Sequence, residues 1–263
     1  MDADIRRELS VGFDRAARSY ALSRPGYPDE AVGFLLGGST GDVLDLGAGS
    51  GALTRQLPAR GVRYVVAAEP SGALLKELVS GCRTARAAGV AGVDVSGVQA
   101  GAERLPFADG SFDVVTVATA FHWFDADRAL PEIARVLRTG GRLGLVWNTR
   151  AVTEPWTRDF DELLRSAQPA ALAGDWGVGS VRSLDTSALF TATEYAEFPH
   201  SQPLARTGLL DLVSSRSYVI ALDEADRSAL LHEVGALFDA AAGAATTLDV
   251  PYIAQCWRTS ACR

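Results

Sequence analysis

Three features of the chain are of types that do chemistry. Val43-Leu44-Asp45-Leu46 runs into Gly47-Ala48-Gly49-Ser50-Gly51, an apolar run that breaks into a glycine-rich turn, where the missing Cβ lets backbone approach a ligand closely and adopt angles closed to other residues. Such a turn alone is a weak signal, because a tight strand-to-helix connection without a ligand reads the same way. Glu69 stands 18 residues after Gly51, at the end of the apolar run Tyr64 to Ala68. A carboxylate at the tip of a second strand can accept hydrogen bonds from both hydroxyls of a ribose, and charge-assisted bonds of that kind are strong. Turn and acid together point to adenosine recognition. The third feature is His122, which follows the apolar run from Phe112; its imidazole titrates near neutrality and could serve as a general base, or could simply bond backbone and shape a pocket.

These groups need a scaffold, and the hydrophobic pattern supplies one. Strands are expected at Val43 to Leu46, Tyr64 to Ala68, Val93 to Val98, Phe112 to Thr119 and Arg142 to Trp147. Helices are expected at Ile5 to Ala21, Asp29 to Leu36, Gly51 to Leu57, Ser71 to Ala85 and Ala126 to Leu137. The prolines of Arg24-Pro25-Gly26-Tyr27-Pro28 end the first helix, since they lack amide donors and push their predecessors out of helical geometry. Strands that alternate with helices imply an α/β fold, a doubly wound, mainly parallel sheet with helices on both faces. Beyond Arg150 the pattern suggests helices at Trp156 to Ala167, Gly208 to Val213 and Asp223 to Ala241. A Gly/Ala-rich loop is expected from Ala170 to Gly179, and strands at Glu194 to Phe198 and Tyr252 to Trp257.

With 263 residues, 48% of them hydrophobic, the chain suits one large domain with a substantial core. Its organisation reads as an N-terminal helical cap over 1–38, a ligand-binding core over 40–150 and C-terminal strands and pocket helices over 151–263. A formal charge of −7 argues against nucleic acid as the main partner, because phosphate neutralisation needs a basic face. Cys82, Cys256 and Cys262 lack metal-ligand or paired spacing, and are read as reduced thiols of a cytoplasmic protein. No metal is expected. The acidic N-terminus does not look like a signal peptide. The longest apolar stretch, Val114 to Phe124, falls well short of the roughly 20 residues that span a bilayer.

Gly47, Gly49 and Ala52 also satisfy the relaxed dinucleotide fingerprint G-x-G-x-x-G/A, so a nicotinamide-dependent oxidoreductase is one reading. A dinucleotide rests its pyrophosphate on the helix N-terminus, and Asp45 would be an awkward neighbour for it. The same Asp45 suits a ligand with an ammonium group, which favours S-adenosylmethionine (SAM). Five segments then resemble, in order and approximate spacing, the class I SAM-dependent methyltransferases. They are Asp45 to Gly51, Glu69-Pro70-Ser71, Ala102-Glu103-Arg104-Leu105-Pro106-Phe107, Ser111-Phe112-Asp113-Val114-Val115 and Arg135-Val136-Leu137-Arg138-Thr139-Gly140-Gly141. Phe13-Asp14, Tyr20, Arg24-Pro25, Tyr27-Pro28 and Phe121-His122-Trp123-Phe124 are similar to the branch that includes trans-aconitate methyltransferase-like enzymes.

The resemblance implies a Rossmann-like sheet of seven strands with the last antiparallel, and it implies contacts. Gly47, Ala48 and Gly49 would meet the methionyl and ribose parts of SAM, Glu69 the ribose diol, and Pro70, Ala102 and Glu103 the adenine. Thr119 and Phe121 complete the cofactor set, and Tyr20 and Arg24 would close over the SAM carboxylate from the cap. Many relatives place an Asp before the Ala-Glu pair; this chain has Gly101, which loosens the adenine contact. Methyl transfer to a small-molecule acceptor, at oxygen, carbon or nitrogen, needs alignment and exclusion of water. His122 is the candidate base at a strand's carboxyl end. Trp123, Phe124 and Trp147 are candidates to line an acceptor pocket, with Ser217 and Tyr218 on a C-terminal lid. A non-catalytic SAM-binding protein is the remaining alternative.

Overall fold

The computed structural model describes residues 25–87, 94–168 and 178–262. The helix expected at Ile5 to Ala21 and most of the expected loop at Ala170 to Gly179 lie outside them. Seven strands form one sheet: β1 (Asp42–Leu46), β2 (Tyr64–Ala68), β3 (Val95–Val98), β4 (Phe112–Ala118), β5 (Leu137–Arg150), β6 (Glu194–Ala205) and β7 (Thr247–Ser260). Their spatial order is β3-β2-β1-β4-β5-β7-β6. The helices are α1 (Asp29–Leu36), α2 (Gly72–Ala87), α3 (Ala126–Val136), α4 (Pro155–Ser166), α5 (Arg182–Asp185), α6 (Arg206–Ser214), α7 (Ser217–Ile220) and α8 (Glu224–Ala242).

The first five strands are joined by four parallel pairings. β1 and β2 are buried along nearly their whole length, as expected of strands covered on both faces. The two pairings that involve β7 are antiparallel, so the sheet is mixed and the mainly parallel description holds only for β1 to β5. Two apolar clusters flank this sheet. Leu44 and Leu46 pack with Val115, Val117, Leu130 and Ile133 on one side, and Val43 with Val65, Val114, Leu35, Leu53 and Leu57 on the other. Alternation of Cβ direction along β1 sends its neighbours to opposite clusters.

Register decides where the site lies. Leu46 pairs with Ala68, so the residues that follow, Gly47 and Glu69, leave the sheet side by side. β1 also sits where the strand order reverses, between β2 and β4. In open α/β sheets the crevice at such a switch point, beyond the carboxyl ends, is where ligands bind.

Several boundaries differ from the sequence expectation. Gly51 to Leu57 is a succession of turns, with Gly51 N–H bonded to Ala48 O at 2.9 Å and Gln56 N–H to Leu53 O at 2.8 Å. Its apolar spacing mimics a helix because Leu53 and Leu57 are both buried. β5 begins at Leu137, and the register between β4 and β5 shifts between Phe112 and Val114. Gly140, at φ 72°, lies in this irregular stretch, between the helix and the strand that the sequence suggests. β6 and β7 run beyond the expected strands, and α5 and α7 had no periodic signal.

The described chain forms two compact units. One comprises 26–87, 94–148, 178–198 and 254–262; the other comprises Pro25, 149–168 and 199–253. The second unit has its own core, in which Phe160 and Leu164 of α4 meet Leu209 and Leu212 of α6, Val219 of α7 and Val234 and Phe238 of α8. Here α4 starts with a capping box between Glu154 and Thr157, and α8 with the Asp223 side chain accepting from Asp226 N–H at 2.9 Å. Both caps satisfy amide donors that a helix start leaves unpaired. His200 stacks on Tyr252 at 5.5 Å.

Candidate active site

The turn after β1 needs its glycines. Gly47, Gly49 and Gly51 have φ of 67°, 56° and 88°, the left-handed region that side chains disfavour. A Cβ on Gly47 would lie 2.7 Å from Ala120 Cβ and 3.2 Å from the Phe124 ring, and one on Gly51 would lie 2.8 Å from Leu78 Cγ. The turn is tied to the tip of β2: Gly47 and Ala48 N–H both donate to Ala68 O, at 2.8 and 3.1 Å.

Glu69 is 6% exposed. Its Oε2 accepts Gly49 N–H at 2.9 Å and its Oε1 accepts Ser71 N–H at 2.9 Å. One carboxylate thus bridges the glycine turn and the start of the connection to α2.

Asp45 lies beneath the turn and is 1% exposed. Its oxygens accept from Thr54 Oγ1 at 2.5 Å and from Thr116 Oγ1 at 3.1 Å, Thr116 being its register partner on β4. Burial pushes this carboxyl up to about 6, against the lowering effect of the two hydroxyls and with a further upward push from the charge of Glu69. Neither threonine was legible as part of a site, since their only sequence signal is a polar residue inside an apolar run.

The carboxyl end of β4 is strained. Thr119 has φ 52°, an outlier for a β-branched residue that persists only when its surroundings enforce it. Its N–H donates to Val146 O at 2.8 Å, and its Oγ1 lies 3.2 Å from the Tyr27 hydroxyl. The Gly26-Tyr27 segment is itself held from two sides. Gln56 accepts Tyr27 N–H at 2.8 Å and donates to Tyr27 O at 2.6 Å, while Asn148 donates to Gly26 O at 3.0 Å. Gln56, Asn148 and Tyr27 are site-framing residues that spacing could not reveal, because their partners lie 29, 122 and 92 positions away.

The other expected residues are distributed as follows. Pro70 is exposed, and its carbonyl accepts from Gln99 at 2.9 Å. Ala102 is buried at 2%, and Glu103 accepts Asp125 N–H at 3.0 Å, just ahead of α3. Phe121 is 1% exposed and belongs to the core; it opens a 3-10 turn, Phe121–Trp123, that carries His122. Trp147 Nε1–H points to His122 Nδ1 at 3.5 Å, and the His122 and Trp123 rings are 5.1 Å apart. Tyr218 is 8% exposed in the core of the other unit. Tyr20 and Arg24 lie outside the described residues. Among the described residues no group of three or more His, Cys, Asp or Glu side chains could hold a metal ion, and no helix is long and apolar enough to cross a membrane.

The sheet order, the switch-point turn and the acid at the β2 tip define a Rossmann-like class I fold, and comparison with known proteins agrees. Residues 44–145 match the family model described as a methyltransferase domain. A relative from Mycobacterium tuberculosis (strain H37Rv), called an uncharacterized methyltransferase, is 39% identical over 259 residues, covering 97% of this chain and 98% of the relative. An uncharacterized methyltransferase-like protein of Schizosaccharomyces pombe is 30% identical, covering 82% and 81%. Demethylmenaquinone methyltransferase of Thermobifida fusca is 32% identical over 161 residues, covering 58% and 66%. A solved structure from Anaeromyxobacter dehalogenans shares the fold with a TM-score of 0.65 at 24% identity, covering 91% of this chain and 98% of that one. The chain belongs to the class I methyltransferase family. It is an enzyme that transfers methyl groups, which sets aside the oxidoreductase and the non-catalytic alternatives.

Proposed function

We propose that this methyltransferase takes its methyl group from SAM and passes it to a small-molecule acceptor, at oxygen, carbon or nitrogen, by in-line displacement. The observation that carries the reading is Glu69, a nearly buried carboxylate fixed by two backbone amides at the tip of β2 beside three positive-φ glycines. Such a carboxylate suits a ribose diol, and a turn built on glycines suits close passage of backbone along a ligand. When bound, SAM supplies an electrophilic methyl group on a sulfonium.

In this reading Gly47, Ala48 and Gly49 line the methionyl and ribose parts, and Glu69 holds the ribose. Pro70, Ala102 and Glu103 border the adenine, and Thr119 and Phe121 close the β4 side. Asp45 acts from below: it holds the turn through Thr54 and adds negative potential for an ammonium group above it. His122, Trp123 and Trp147 serve the acceptor, with His122 as its base or as the polar group that shapes the pocket. Their task is to align the acceptor and exclude water, because the donor is already activated.

A small acceptor is supported by the net charge of −7, which disfavours a nucleic-acid backbone, and by a relative named for demethylmenaquinone. The trans-aconitate methyltransferase-like likeness rests on the motifs around Tyr27 and His122. The lack of a membrane-crossing helix among the described residues is compatible with a cytoplasmic enzyme. Incubation with methyl-labelled SAM and a metabolite extract of the source organism tests the reading. We expect release of S-adenosylhomocysteine with label in a small molecule; no transfer from saturating SAM to any fraction would contradict it.

A further inference from the structure

Between β3 and β4 the chain runs through turns and bends, and the backbone of that stretch finds partners on α3. Leu105 is held on both sides: its N–H donates to Glu132 Oε2 at 2.7 Å, and its carbonyl accepts from Arg135 Nη2 at 3.0 Å. Arg135 Nη1 donates to Phe107 O at 2.7 Å and to Asp109 Oδ1 at 2.9 Å. Its Nε and Nη2 donate to Glu132 Oε1 and Oε2 at 2.8 and 2.9 Å. A guanidinium carries five N–H donors in a fixed fork, and these bonds use all five. The Arg135 carbonyl also accepts Gly110 N–H at 2.9 Å. At the other end of the same helix, Glu103 Oε1 accepts Asp125 N–H at 3.0 Å. The stretch from Glu103 to Gly110 is thus laced to α3 at both of its ends. The guanidinium beside Glu132 holds that carboxyl down to about 2, so the pair is charged at neutral pH.

We propose that Arg135, seated on Glu132, is a specificity-determining positioning residue for the cofactor's base: by fixing the backbone at Leu105 and Phe107 it sets the place of Ala102 and Glu103. This rests on reading those two residues as the border of the SAM adenine. Arg135 acts through the loop and not by contact with the base. Ala102 and Leu105 are buried in the same cluster, at 2% and 4% exposure, so a shift at Leu105 is passed to Ala102. One base edge is told from another by the order of its donors and acceptors, which only groups held within about 0.5 Å of place can read. Adenine presents an amino donor beside a ring-nitrogen acceptor; hypoxanthine presents the reverse, a carbonyl acceptor beside an N–H. A loop tied by the full guanidinium fork keeps one order, whereas a loosened loop turns to suit either.

Calorimetric titration with S-adenosylhomocysteine and S-inosylhomocysteine tests this without knowledge of the acceptor, since the two ligands differ only at the base. We expect the wild type to prefer the adenine ligand. Arg135→Lys keeps the charge but replaces the planar fork by a point-like head, and should lower that preference about tenfold, the order of one charge-assisted hydrogen bond. A merely structural role would lower the melting temperature and leave the ratio of affinities as it is. No preference in the wild type, or an unchanged ratio in the variant, would overturn the proposal. Should Arg135→Lys not fold, Glu132→Gln is put to the same ratio, since it keeps an oxygen for Leu105 N–H and loses one limb of the fork. Amide hydrogen exchange of the wild type adds a check that needs no variant: Leu105 N–H must be protected before any ligand is added, and exchange as fast as in a free peptide refutes the clamp. If the wild type binds neither ligand, the cofactor reading falls and takes this proposal with it; binding with an unaltered ratio removes only the role of Arg135.

Discussion

The two ends of the central strands are built from different materials. At the amino end, charges are matched by charges. Asp42 accepts from Arg63 Nε at 2.8 Å and from Arg138 Nη2 at 2.9 Å, and Asp113 accepts from Asp42 N–H at 2.7 Å and also pairs with Arg138. The Arg63 guanidinium, with help from Arg138, holds the Asp42 carboxyl below its ordinary range. At the carboxyl end Asp45 and Glu69 accept from neutral donors. Glu69 accepts from backbone amides, Asp45 from hydroxyls, and the chain around them is held in strained or glycine-only angles. The amino end is arranged to hold the strands together. The carboxyl end combines carboxylates held by neutral groups with close backbone access, a combination suited to a ligand.

Paired glycine substitutions should break this contrast most visibly. Gly47→Ala at the carboxyl end combines a left-handed φ with a 2.7 Å clash against Ala120, and should cost about 4 kcal/mol in denaturant unfolding. Gly61, just ahead of β2 at the amino end, has a similar φ of 73°, and a Cβ there would meet nothing within 4 Å. Gly61→Ala should therefore cost only about 1 kcal/mol. Equal losses would mean that the approach of Ala120 to the turn is slack.

Asp45 sharpens the same contrast through pH. Its folded-state value of about 6 lies above the ordinary 3.8, so the folded protein binds this proton more tightly than the unfolded chain. The stabilisation it contributes is complete below 3.8 and disappears as pH rises to about 6. Relative to Asp45→Asn, the wild type should lose up to about 3 kcal/mol of stability across that window, read from unfolding curves at successive pH values. A constant difference between the two proteins would mean that the carboxyl titrates in the folded protein as it does in the unfolded chain.

Glu69→Ala should weaken SAM binding by about 2 kcal/mol, the order expected for charge-assisted bonds to a ligand. Calorimetric titration gives the value, and unchanged affinity would remove Glu69 from the site. The smallest effect belongs to Arg63→Ala, whose side chain is 67% exposed. Surface ion pairs are screened and weak, so its melting temperature should barely move and its SAM affinity should match the wild type.

The ligand-facing end was legible in the sequence where one residue type has few other uses. Glycines that end a buried strand, and an acid at the tip of the next one, announce themselves locally, and parallel pairing then brings Gly47 and Glu69 together. What was illegible depends on contacts between distant segments. Gly51 to Leu57 looked helical because Leu53 and Leu57 share a buried side, while the hydrogen bonds follow the turn. Thr119 betrays its strain only in φ. Trp147 and His122 are 25 positions apart, and each reads alone as a pocket residue, with nothing to show that their rings meet. β7 returns antiparallel against β5, a reversal that the family resemblance implied but that apolar patterning at Tyr252 to Trp257 does not encode.

The claim that the carboxyl end alone takes the cofactor is tested most directly by following backbone amide resonances as SAM is added to saturation. The account predicts shifts at Gly47, Gly49, Glu69 and Ala102, with Asp42, Arg63 and Asp113 unmoved. Shifts centred on the amino end, or none at either end, would contradict it.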